Sequence, residues 1–314
     1  MKSLKRHFHF LLLVFLVFGM PQVLHAQYKA LFEPDVPPLI EISMSGKQMA
    51  AYHQKISDIY HDRDMFITDK YKDWFKIYIK HPDGVGMFAA KAKVVGEWKD
   101  HIVLGKNTSR ASIKISLKKG NIGGITSFRL LLPQTRNGMA EVFWSTLMEK
   151  LGYPTLYTRR VQVSVNGLKY AAIFQEVPEK EFLERFAIRE SPIIDSDDRQ
   201  RRYDRLYLQK QGDTKGKDPR NYRGKINNKG FLKNTVSNSI TMKGIHAFLE
   251  EFSLIQAENA KFFDAINHTY GNHGLIWHNL KYIFDPIYNR LIPVYWDGNI
   301  SLRSPKSLCN REKN

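Results

Sequence analysis

Hydrophobic and polar positions change period several times along the chain, and each change marks an element. Phe10 to Met20 is an unbroken apolar run. Leu39-Ile40-Glu41-Ile42 alternates, as a half-buried strand does, after the breaks at Pro34, Pro37 and Pro38. The stretch from there to Lys80 has mixed periodicity and predicts no element. Met87 to Val95 reads as a strand. Ser112 to Leu117 alternates strictly, placing Ile113, Ile115 and Leu117 on one face and Ser112, Lys114 and Ser116 on the other. Phe128, Leu130 and Leu132 repeat that period. Met139 to Leu151 switches to a helical period, with Val142, Phe143, Leu147 and Leu151 as its apolar stripe, and Gly152 and Pro154 stop it. Arg160–Val165 and Leu168–Gln175 flank Asn166-Gly167, the dipeptide suited to a type I′ turn, so they predict a hairpin. Val177 to Phe186 begins a helix. Asp195 to Lys233 reads as a long polar loop, Ile245 to Ile266 as helical, and Leu280–Phe284 with Leu291–Tyr295 as a closing hairpin. Sheet, helix, hairpin and then helices make an α+β plan, mainly antiparallel sheet plus a helical part.

The apolar run changes the picture of where the chain goes. Lys2, Lys5 and Arg6 precede it and Ala26 follows it, the layout of a secretory signal peptide over residues 1–26. The run is shorter than the ~20 residues a spanning helix needs. The expectation is therefore export to the periplasm or cell surface, with no transmembrane helix after cleavage. Removing those three cations lowers the net charge from +17 to +14. A surface so basic attracts polyanions such as anionic glycans, acidic headgroups or phosphorylated ligands. Nucleic acid fits least, because an exported protein meets little of it. The single cysteine, Cys309, excludes a disulfide within one chain. No GxSxG elbow and no HExxH pair is present. His268, His273 and His278 recur every five residues, which does not stack ligands on one helix face, so zinc is not expected.

Several short segments, in order, carry a resemblance. They are Ala90 to Val95 with Gly96-Glu97-Trp98-Lys99-Asp100-His101; Ser112-Ile113-Lys114-Ile115; Pro133-Gln134-Thr135-Arg136; and Val165-Asn166-Gly167 leading to Gln175-Glu176. Glu190-Ser191-Pro192-Ile193-Ile194, Trp277-His278-Asn279 and Val294-Tyr295-Trp296-Asp297 complete the set. Together they resemble the CotH-like family, the kinase-like proteins related to spore coat protein H. The resemblance implies an atypical protein-kinase-like fold of two lobes, with ATP and Mg²⁺ or Mn²⁺ as cofactors and phosphoryl transfer to an envelope protein or glycan. It divides the chain into the signal peptide, an N-terminal region at 27–86, a kinase-like domain at 87–300 and a polar tail at 301–314. Kinase-like C-lobes usually run further past the metal aspartate than this chain does, so a truncated end is one expectation.

Phosphoryl transfer needs cations on phosphates, an oxygen-liganded metal and a group that orients the acceptor. Lys114, Arg136 and Glu176 are the candidates for binding the nucleotide, Glu176 as the acid that would hold Lys114. Asp297 and Asn279 are the candidate metal ligands, and His273 and Asp297 the candidate catalytic pair. Lys114, Arg136, Glu176 and Asp297 each have a plain structural alternative: a solvated lysine, a clamping arginine, an edge glutamate, a turn-capping aspartate. The chain also departs from the family pattern. His273 stands where an aspartate is usual, and Asn299 replaces a second acid. A binding-only relative that holds an anionic envelope polysaccharide is thus the alternative function.

Overall fold

The structure is a computed structural model describing residues 38–298, apart from 81–83, 85, 107, 198–202, 205–206, 209–210, 213–222, 251, 270 and 277–278, and without the side chains of 252–254. The signal-peptide reading, Asn299 and the 301–314 tail lie outside the described residues, as does much of the basic loop. Among the described residues no helix is long and apolar enough to cross a membrane.

Seven strands close into a barrel. They are β1 (Leu39–Ser43), β2 (Phe75–Lys80), β3 (Met87–Val94), β6 (Ile113–Leu117), β7 (Ser127–Leu131), β8 (Thr158–Val165) and β9 (Leu168–Glu176), in the order β1-β2-β3-β6-β7-β9-β8. All neighbours are antiparallel except β1 and β8, which pair in parallel from Leu39–Gln162 to Ile42–Val165 and so complete the ring. A small pair, β4 (Ile102–Val103) and β5 (Arg110–Ala111), stands beside it. The alternation read from the sequence now has a cause: one face of each strand lines the barrel. Ile40, Ile42, Ile77, Ile79, Ala90, Ala92, Ile113, Ile115, Phe128, Val161, Val163 and Phe174 form one core. Helix α1 (Gly46–His61) adds Tyr52, Ile56 and Ile59 to that core. Its start is a capping box, Ser45 with Gln48, which satisfies orphan N–H groups at the helix end.

This overturns the two-lobed kinase fold. The strands predicted between 87 and 175 exist, but they do not form one open sheet of a kinase-like lobe. β1 closes them into a ring, and the barrel recruits β1 and β2 from the region set apart as 27–86. β2 and β3 flank that boundary and pair from Phe75–Ala92 to Lys80–Met87. The α+β class itself is partly kept, with sheet predominating.

Beyond the barrel lie α2 (Ala140–Lys150), α3 (Lys180–Arg185) and a four-stranded antiparallel sheet. That sheet contains β10 (Ile193–Ser196), β11 (Gly224–Ile226), β12 (Lys281–Asp285) and β13 (Arg290–Pro293), in the order β11-β10-β12-β13. Helices α4 (Thr235–Glu250), α5 (Phe252–Glu258) and α6 (Ala260–His268) follow β11 in the chain. Phe248, Phe262, Ile266, Tyr282, Phe284 and Met148 of α2 make a second core. The predicted hairpin at Asn166-Gly167 is present, with positive φ at both residues (47° and 92°). The expected stripe on α2 is reversed, however. Its buried side is Ala140, Glu141, Ser145 and Met148, while Phe143 is 51% and Leu151 54% exposed.

Candidate functional site

Four of the six residues singled out from the sequence meet where the barrel faces the segment after β13. Arg136 ends a 3-10 turn, Pro133–Arg136, that leaves β7. The next residues, Asn137 and Gly138, both have positive φ, so the chain turns sharply into α2. Asp297 follows β13 and itself has φ 47°. Its Oδ2 lies 3.4 Å from Arg136 Nη2, and both side chains are largely buried. His273, in the 3-10 turn Asn272–Leu275, places Nδ1 2.8 Å from the Asp297 carbonyl oxygen and 3.8 Å from Asp297 Oδ1. Asn279 donates from Nδ2 to the His273 carbonyl at 2.8 Å. Gly274 lets these segments close: a Cβ there would stand 2.9 Å from the Trp296 carbonyl oxygen and 3.2 Å from Gly298 Cα.

The other two, Lys114 and Glu176, are not brought together. Lys114 is registered against Arg129, and Arg129 against Gln175, so Gln175 shares its face. Glu176 is the next residue and points to the opposite side, as successive strand residues must. It is buried and accepts from Arg185 Nη2 at 2.6 Å and from the Tyr157 N–H at 3.1 Å. Burial raises its pKa, and Arg185 opposes that rise. Glu176 therefore ties α3 to the barrel, and Lys114 takes Glu179 instead, at 3.6 Å.

The sequence reading passed over the residue that organises the cluster. Glu141, in the first turn of α2, is only 3% exposed. Its Oε1 accepts the Asp297 N–H at 3.1 Å, its Oε2 accepts the Tyr295 hydroxyl at 3.2 Å, and Gln175 Nε2 approaches Oε1 at 3.4 Å. Burial, reinforced by the nearby Asp297 carboxylate, pushes its pKa up to about 7. The one available signal was a charged residue beside an apolar helical stripe, and that stripe was assigned to the wrong face.

Around the acids stands a group of cations. Lys93, Lys114 and Arg129 lie abreast on β3, β6 and β7, in register. Burial first lowers both, Lys114 to about 8 with Arg129 repelling it and Arg129 to about 10 with Arg136 repelling it. Trp296 carries three cations over its ring: Arg129 at 4.7 Å, Lys281 at 4.8 Å and Arg136 at 5.7 Å. Lys281 is buried and paired with Asp195 at 2.6 Å. Arg129 Nη1 and Arg136 Nε are buried without a hydrogen-bond partner among the described residues. Buried donors of this kind are costly unless something accepts from them. The arrangement suits an anion with several oxygens. Among the described residues no three His, Cys, Asp or Glu side chains form a metal-holding group. No protein-family model matches the chain, and no curated protein matches it.

Proposed function

We propose that this cluster binds the phosphates of a nucleotide such as ATP and supports phosphoryl transfer to a protein or glycan of the cell envelope, as expected of a CotH-like protein. One observation carries the reading: three cations abreast, Lys93, Lys114 and Arg129, stand in one charged cluster with Arg136 and the Asp297–Glu141 acid pair. Phosphoryl transfer relies mainly on positioning and on charge stabilisation, which such a cluster provides. The reading draws on the site and not on a kinase fold. Lys114, Arg129 and Arg136 take the phosphate oxygens. Glu141 positions Asp297 through its backbone N–H. His273, partly exposed and anchored through Nδ1, would accept the acceptor's proton at Nε2. Mg²⁺ or Mn²⁺ would be held by Asp297 and Asn279, since Mg²⁺ commonly uses one or two protein oxygens and fills the rest with water and phosphate. When bound it would neutralise charge on the phosphates.

The net charge, +17 for the whole chain and +14 without Lys2, Lys5 and Arg6, and the unpartnered guanidinium nitrogens favour a second reading, a non-catalytic protein that holds an anionic envelope polysaccharide. Thermal unfolding separates the two. ATP with Mg²⁺ or Mn²⁺ should raise the Tm of the wild-type chain, and Asp297→Asn should abolish the metal-dependent part of the rise. Asparagine is the right replacement because it tolerates the positive φ. No shift in the wild-type chain at millimolar nucleotide sinks the phosphoryl-transfer reading and leaves the second.

A further inference from the structure

The outward face of the barrel beside this cluster sets like charges against one another. Inward residues of β2, β3 and β6 are apolar, and the outward ones are largely lysine. Lys76 is registered directly against Lys91, Lys93 against Lys114, and Lys114 against Arg129. Like charges opposite one another across strands destabilise a sheet. Acids reach part of this face: Glu41 pairs with Lys80, Glu179 with Lys114, and Asp69 lies near Lys93. The Lys76–Lys91 pair is exposed at its centre. Two aromatic rings accompany the lysines. Trp74, 41% exposed, has Lys91 Nζ 4.6 Å and Lys93 Nζ 5.0 Å from its ring centre, and Tyr78 on β2 is 50% exposed.

We propose that this face is a docking track for an acidic polysaccharide, with carboxylates on the exposed Lys76 and Lys91 and on the neighbouring Lys93, and sugar rings against Trp74 and Tyr78. Charge complementarity sets the sign of the partner. Lys76 faces Lys91 across one strand spacing of about 4.8 Å, and Lys93 lies two residues further along β3, so the lysines form a staggered cluster suited to a polymer that carries many carboxylates. The exposed rings supply flat apolar faces of the kind a sugar ring covers. Because Lys93 is registered against Lys114, the track ends beside the cation cluster. The inference rests on the anionic-polymer view of the partner and is independent of phosphoryl transfer, so each can fail alone.

The test uses the full chain and polygalacturonate as probe, with neutral dextran and a single-stranded DNA oligonucleotide beside it, all at about 0.15 M salt, where weak surface attraction is screened. The wild type should bind polygalacturonate and not dextran. Lys76→Ser with Lys91→Ser should weaken binding about tenfold, and Trp74→Ala at least about threefold. These side chains are exposed, so folding should survive, which the far-UV spectrum and Tm check. A control pair, Lys169→Ser with Lys243→Ser, removes the same charge from other exposed positions and should bind like wild type. Three results overturn the proposal. The first is no binding of polygalacturonate. The second is equal loss in the control pair, which makes the effect net charge alone. The third is tighter, Trp74-dependent binding of the oligonucleotide, which assigns the face to nucleic acid. Loss of ATP·Mg²⁺ stabilisation in Asp297→Asn with polygalacturonate binding intact would leave both readings standing as separate properties.

Discussion

A carboxyl group buried at the start of a helix must find donors or give up its charge. Glu141 finds the Asp297 N–H and the Tyr295 hydroxyl, yet burial and the Asp297 carboxylate still raise its pKa from the ordinary 4.5 to about 7. The sign of the consequence follows. Between those values the folded chain binds more protons than the unfolded one, so stability falls as pH rises from about 4.5 to about 7 and then levels. Glu141→Gln keeps the size of the side chain and removes the titration. Its Tm curve from pH 4 to 8 should lose that part of the slope, and the variant should gain on the wild type at the alkaline end. A parallel pair of curves would show that Glu141 titrates alike in the folded and unfolded chains, which overturns the upward shift. A second residue-scale expectation concerns closure. Gly274→Ala puts a methyl group 2.9 Å from the Trp296 carbonyl, so it should disturb His273 and Asp297 together and reduce any ATP·Mg²⁺ stabilisation. At this scale the sequence was informative in part. Arg136 and Asp297 had local cues, a proline turn and a strand end before glycine, whereas His273 and Asn279 were singled out by the resemblance alone; the structure brings the four close together. The pairing of Lys114 was not, because a carboxylate one residue further along β9 faces the other way.

Elements show the same division. The Asn166-Gly167 hairpin was legible, since only a few residues accept two consecutive positive φ angles. Its longer-range use was not. Asn166 Oδ1 accepts the Met44 N–H at 2.8 Å and its Nδ2 donates to the Met44 carbonyl at 2.9 Å, which ties the hairpin to the end of β1. Asn166→Ala should lose both bonds and introduce strain at φ 47°, lowering stability by about 1–3 kcal/mol in urea unfolding. Helix α2 was legible as a helix, but its buried face was not. A period of 3.6 reveals an apolar stripe without saying what lies against it, and here the polar Glu141 and Ser145 turn inward to meet Asp297, Tyr295 and Thr158. Truncating buried Met148 to Ala should therefore cost about 2–5 kcal/mol, and truncating exposed Phe143 well under about 1 kcal/mol. Reversal of that order would restore the stripe read from the sequence. Helix α1 escaped notice altogether, although Ser45 and Gln48 have the spacing of a capping box, because polar residues dominate the face it shows to solvent.

At the scale of the whole molecule, closure is what the local patterns cannot contain. Each barrel strand is visible as an alternation, but no alternation says that β1 will lie parallel to a strand more than a hundred residues later. A parallel pair closed through so long a loop has no short-range signature, and its entropic cost is recovered only when the ring and its core form together. The division at residue 86 placed β1, α1 and β2 outside the domain expected to fold. The barrel makes a different claim. A chain beginning at residue 87 would lack two of seven strands, expose unpaired edges on β3 and β8, and lose Ile40, Ile42, Tyr52, Ile56, Ile59, Ile77 and Ile79 from the core. Edges of that kind pair with other chains. Residues 87–314 should therefore aggregate or unfold without a cooperative transition, whereas a chain beginning at residue 27 should unfold cooperatively. Denaturant unfolding followed by far-UV circular dichroism, with size-exclusion chromatography, distinguishes them. A monomeric, cooperative 87–314 fragment would mean that the strands from Met87 onward hold a core without the ring, and the assignment of β1 as its closing strand would be wrong.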